Sequence, residues 1–106
     1  MFKYQQLLNK YRGELAEIVM EENGKNRAEA IASVAKGAET VEWACGLPQI
    51  AQGKRLEVSR GVTCFDHLEP LGVVASVCPF NFPAMVPMWT IPIALTMGNW
   101  YASFCC

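Results

Sequence analysis

The stretch Leu71-Gly72-Val73-Val74-Ala75-Ser76-Val77-Cys78-Pro79-Phe80-Asn81-Phe82-Pro83 decides the fold. Val73 to Cys78 is a short apolar run without polar alternation, the pattern of a strand buried on both faces in a parallel sheet. Pro79 and Pro83 lack a backbone N–H and hold φ fixed, so a rigid turn follows the strand. Ala84 to Met97 then reads as a buried apolar helix strained by Pro87 and Pro92, and Gly98-Asn99 suits its end. The Asn81 turn falls at the carboxyl end of the strand, where α/β folds bind ligands. Asn also bonds readily to its own backbone, so an ordinary turn role for Asn81 competes with a site role. A parallel strand needs a neighbour, and the chain offers no second run of this kind.

The charge distribution supports an interior position for this region. The chain has 106 residues, with nine Lys and Arg against ten Asp and Glu, and every one of these lies before Leu71. A domain of this size leaves about 35% of its unfolded-chain surface exposed. A charge-free third of the chain therefore belongs either in a membrane or inside something larger. Phe82 to Met97 is too short for a span of about 20 residues, holds three prolines and lacks basic anchors, so a membrane is not expected. The near-balanced charge excludes a basic nucleic-acid face. With 52% hydrophobic residues the chain is too apolar for disorder.

Upstream, residues 1–22 read as one amphipathic helix with the stripe Tyr4, Leu8, Tyr11, Leu15, Ile18 and Val19, stopped by Asn23-Gly24. A second helix is expected from Arg27 to Cys45. Its stripe of Ala30, Ile31, Val34, Ala38, Val41 and Cys45 is built mostly of small residues that allow close packing on a neighbour. Gly46 and Pro48 end it. Both stripes read as plain core. Gln49 to Arg60 reads as a polar connector. Val62 to about Leu68 reads as an extended edge segment, ended by Pro70 and Gly72.

The five cysteines are odd in number and form no C-x-x-C pair, and the lone His67 completes no zinc set, so no metal site is expected. Free thiols fit a reducing, cytoplasmic compartment. Met1 to Gln6 has no apolar leader core.

Taken together, these motifs resemble the aldehyde dehydrogenase superfamily. Leu71 to Pro83 resembles its first Rossmann strand and turn. Pro79 to Trp89, Pro92-Ile93-Ala94 and Gly98-Asn99 look most like the methylmalonate-semialdehyde dehydrogenase branch, as do Glu22-Asn23-Gly24-Lys25 and Val41 to Pro48. The resemblance covers residues 1–99. It implies an α/β fold: two N-terminal helices, an edge or oligomerisation strand, then the first strand–turn–helix of a Rossmann-like NAD-binding domain. It implies NAD-dependent oxidation of a small aldehyde, with coenzyme A as acyl acceptor in this branch. Asn81 then matches the side-chain donor to the tetrahedral oxyanion, and a neutral, fixed donor is what developing negative charge requires. The backbone of Val77, Cys78, Pro79, Phe80 and Asn81 matches the cofactor-lining segment. Residues 62–69 match part of the arm that pairs strands between subunits, implying a homo-oligomer in full-length relatives. Lys36 falls where the branch carries an Arg for the substrate carboxylate. A Lys supplies a point charge rather than a bidentate fork, and a solvated helix face is its plain alternative.

Trp100 to Cys106 departs from the family pattern and reads as an aberrant tail. The family's nucleophilic Cys and general-base Glu follow this region in relatives, so the chain reads as an internal piece that is inactive alone. The alternative is a non-catalytic chain that only associates with a full-length subunit.

Overall fold

The computed structural model describes residues 1–105. The chain folds as five helices and four strands among the described residues, in the order α1 (Phe2–Lys10), α2 (Arg12–Asn23), α3 (Arg27–Cys45), α4 (Leu47–Ile50), β1 (Arg55–Ser59), β2 (Val62–Phe65), β3 (Val73–Cys78), α5 (Met85–Thr96) and β4 (Trp100–Cys105).

The first amphipathic stretch is two helices rather than one. Tyr11 leaves helical geometry at φ −100° and ψ 16°. The break lets each half pack on a different part of α3. Leu8 of α1 meets Ala38 and Val41, whereas Ala16 and Val19 of α2 meet Ala30 and Val34. Burial in this packing raises the Tyr4 phenol above its ordinary 10.0. Helix α3 matches its expected span. Asn26 caps it, its Oδ1 accepting from the Glu29 N–H at 2.9 Å. The stripe residues Ala38 and Val41 cluster with Met88 of α5, and beside them a methyl group on Gly37 would lie 2.7 Å from Met88 Sδ. Gly46 ends α3 as expected, but Pro48 then enters the short helix α4 at its first turn.

The expected connector at Gln49–Arg60 contains a strand. β1 pairs antiparallel with β2, Arg55 opposite Phe65 and Leu56 opposite Cys64, with an irregularity between Glu57 and Ser59. Gly61 at φ 77° makes the turn. The extended segment is therefore half of a hairpin rather than a lone unpaired edge. Every residue of both strands is exposed, and among the described residues the hairpin packs on no other helix or strand. It accounts for the elongated outline of 63 × 25 × 19 Å and a radius of gyration of 17.8 Å, against about 13 Å for a compact chain of this length.

The expectation that β3 lacks a partner is overturned. Trp100–Cys105 forms β4, parallel to β3 and in register from Val73–Trp100 to Cys78–Cys105. β3, α5 and β4 thus make a complete βαβ unit. Gly98 at φ 81° ends α5. Asn99 Oδ1 accepts from the Gly72 N–H at 3.2 Å, and the Trp100 N–H donates to the Gly72 carbonyl at 2.8 Å, which starts the ladder. Thr90 on α5 ties the layers together through its 2.6 Å contact with the Tyr101 hydroxyl. Residues 100–105 are therefore an element of the fold, and Cys106 lies outside the described residues. No helix among the described residues is long and apolar enough to cross a membrane.

β3 is not buried on both faces. Only the alternate residues Val74, Ser76 and Cys78 are covered in part or whole, and α5 is half-buried along most of its length. The opposite sheet face carries Val73 and Val77, 78% and 70% exposed, beside Trp100 and Phe104, 77% and 62% exposed. Such a contiguous apolar face is unusual on a soluble monomer. Sedimentation of the purified chain is accordingly expected to show species larger than a monomer. Val77→Lys and Phe104→Lys should shift the distribution toward monomer. A monodisperse, unmodified monomer with a sharp melt would contradict this.

Candidate functional site

The turn at Pro79–Ala84 links the buried end of β3 to the start of α5. Cys78 is fully buried, and its Sγ contacts the Ser76 hydroxyl at 3.3 Å. The chain then emerges: Pro79, Phe80 and Asn81 are all exposed. The Val86 N–H donates to the Phe82 carbonyl at 3.1 Å, fastening the far side of the turn to the first turn of α5. The Asn81 amide enters none of the side-chain hydrogen bonds among the described residues, so its N–H groups remain free to donate outward.

Of the expected cofactor-lining residues, Val77, Pro79, Phe80 and Asn81 are exposed at the carboxyl end of β3, whereas the Cys78 side chain is fully enclosed. Cys78 can therefore contribute only backbone to a ligand.

Lys36 is near the turn but not on it. A depression of about 250 Å³ is lined by Lys25, Glu29, Ser33 and Lys36 of the α2–α3 region together with Phe82 and Met85. Phe82, the neighbour of Asn81, thus joins the two expected sites, and Asn81 itself does not line the depression. The Lys36 ammonium bonds Glu39 Oε2 at 2.9 Å. Both side chains are more than 60% exposed, so the pair contributes little to stability. Ser33 is 3% exposed, and its hydroxyl has no hydrogen-bond partner among the described residues. Among those residues no group of His, Cys, Asp and Glu forms a metal cage.

Two contacts at the turn escape sequence reading. Asn23 Nδ2 donates to the Phe80 carbonyl at 2.6 Å across 57 residues. Lys25 Nζ lies 4.2 Å from the centre of the Phe82 ring. The sequence offers Asn23 and Lys25 only as a helix stop and a shared motif, and no local pattern connects them to the turn.

Comparison with known proteins places this architecture. The chain is 48% identical over 100 residues to a malonate-semialdehyde dehydrogenase of Lacticaseibacillus casei, a match covering 93% of this chain and 20% of the relative. It is 44% identical over 100 residues to the mitochondrial, acylating methylmalonate-semialdehyde dehydrogenase of Arabidopsis thaliana, covering 93% and 16%. A solved methylmalonate-semialdehyde dehydrogenase from Oceanimonas doudoroffii superposes with a TM-score of 0.94 at 36% identity, over 100% of this chain and 22% of that one. An NAD-dependent aldehyde dehydrogenase from Sinorhizobium meliloti superposes with a TM-score of 0.89 at 27% identity, over 99% and 21%. The chain spans about a fifth of the length of most of these relatives. The model of the aldehyde dehydrogenase family matches residues 1–102. With its βαβ unit and helical layer reproduced in solved members, the chain belongs to the aldehyde dehydrogenase family.

Proposed function

We propose that this segment serves NAD-dependent oxidation of a short aldehyde bearing a carboxylate, with coenzyme A as acyl acceptor. The observation that carries this reading is Asn81, exposed with a free amide at the carboxyl end of β3. A neutral donor held where an aldehyde oxygen gains negative charge stabilises the transition state more than the ground state. Bound NAD supplies the hydride acceptor. The exposed strand end at Val77, Pro79 and Phe80 fits a cofactor laid across it, with Cys78 contributing backbone alone. Coenzyme A enters through the acylating relative.

Lys36 extends the reading to substrate choice. Its ammonium lines the depression beside Phe82 and has to turn from Glu39 to meet a carboxylate. The test is a chimera in which residues 1–99 replace the matching segment of the Lacticaseibacillus casei enzyme. NADH and acyl-coenzyme A formation from malonate semialdehyde supports the function; a folded, NAD-binding chimera without turnover contradicts it. Within that chimera, Lys36→Ala is expected to raise KM for malonate semialdehyde about tenfold, as for a lost charge-assisted hydrogen bond. KM for uncharged propionaldehyde should stay within about twofold on the same ground. Equal changes for both substrates would remove Lys36 from carboxylate recognition.

A second reading, association without catalysis, draws on the projecting β1–β2 hairpin, whose outer edges are free to pair with another strand. A hairpin-dependent complex between this chain and a full-length relative, with the chimera inactive, would favour it.

A further inference from the structure

We infer that Asn23 and Lys25, at the corner between α2 and α3, are positioning residues that clamp the turn carrying Asn81. This rests on the reading of Asn81 as the oxyanion donor. The two contacts bracket that residue: Asn23 Nδ2 bonds the carbonyl of Phe80 at 2.6 Å, and Lys25 Nζ sits over the ring of Phe82 at 4.2 Å. The bonded carbonyl belongs to the peptide unit whose nitrogen is Asn81's own. Holding it fixes the peptide plane from which the Asn81 side chain departs.

The corner is itself rigid. Gly24 closes α2 at φ 77°, its N–H donating to the Met20 carbonyl at 3.0 Å. Two residues on, Asn26 caps α3. Both helices are rooted in the cluster of Val19, Ala30 and Val34. Asn23 and Lys25 thus leave a fixed base and reach the two neighbours of a residue that has no side-chain partner of its own. The Asn23 bond lies on the exposed surface, where a hydrogen bond adds little to folding, and Lys25 and Phe82 are half-buried. A donor displaced by about 1 Å, in contrast, can lose a large factor in rate. The geometry therefore matters more for Asn81's aim than for the stability of the bundle.

The test uses the full-length chimera and the NADH burst at saturating aldehyde and NAD. The burst amplitude counts competent sites, and its rate constant reports the acylation step. Asn23→Leu is expected to slow the burst about tenfold at unchanged amplitude, with KM for NAD within about twofold. Lys25→Met should slow it about threefold, and Lys25→Arg, which keeps a cation over the ring, should restore the parent rate. Added to Asn81→Ala, Asn23→Leu should slow the burst no further, because the clamp acts through the donor. Should Asn23→Leu fail to fold, Asn23→Asp keeps the size, removes the donor and carries the same expectation. A slowed Asn81→Ala with Asn23→Leu or Asn23→Asp at the parent rate would overturn the clamp and leave the oxyanion reading standing. A loss of amplitude at the parent rate would show a merely structural role and also overturn it. Asn81→Ala bursting at the parent rate would overturn both.

Discussion

Purified alone and supplied with malonate semialdehyde, NAD and coenzyme A, the 106-residue chain is expected to form no NADH above the buffer blank. Hydride leaves an aldehyde carbon readily only after a nucleophile has added to it, and an oxyanion donor has no charge to stabilise until then. Among the residues whose side chains are described, Cys45, Cys64 and Cys78 are free thiols, and none of the three is placed to serve Asn81. Cys78 is fully buried three residues before it in the chain. Cys45 ends α3 beside Leu95 and Thr96, at the opposite end of the α3–α5 pair from Phe82. Cys64 stands on the projecting hairpin. The difference from the chimera should therefore be complete rather than graded. NADH formation by the isolated chain that Asn81→Ala abolishes would overturn this expectation.

What could be read from the sequence depended on how local its cause was. Helix α3 was legible because the small-residue stripe and the Gly46 stop act within a few residues, although the Asn26 cap was not read. β3 was legible from its apolar run and the prolines around it. β1 was not, because Arg55–Ser59 is fully exposed and draws its structure from pairing with β2 rather than from a buried face. β4 was hidden for a different reason. Trp100, Tyr101 and Phe104 suit a strand well, but the departure from the family pattern after Asn99 made them read as a tail. Backbone pairing depends little on side-chain identity, so the ladder with β3 survives that departure. The apolar run of β3 reads as a strand buried on both faces, but α5 covers only one of them.

At the site, local chemistry alone left Asn81 between turn and donor, and the resemblance supplied its role. The structure adds its exposure and its unengaged amide. The proximity of the Lys36 depression to Phe82 and the hold of Asn23 on Phe80 are products of packing α2 on α3 and α3 on α5. Such contacts between residues far apart in the chain leave no periodic or spacing signal.

The largest graded effect belongs to Asn81→Ala in the full-length chimera. Removing a single preorganised oxyanion donor lowers the chemical step by about 10²–10³-fold in comparable sites. Asn81 is suited to this size of effect: it is exposed, unpaired by its own fold, and flanked by two residues held from the α2–α3 corner. Its truncation removes no buried contact, so folding and NAD affinity should remain near the parent. The direct measurement is the rate constant of the NADH burst for the chimera and for its Asn81→Ala variant, with NAD binding measured in parallel. A burst slowed at least about 100-fold at unchanged NAD affinity is the expected result; a variant bursting within twofold of the parent would contradict the assignment of Asn81 as the oxyanion donor.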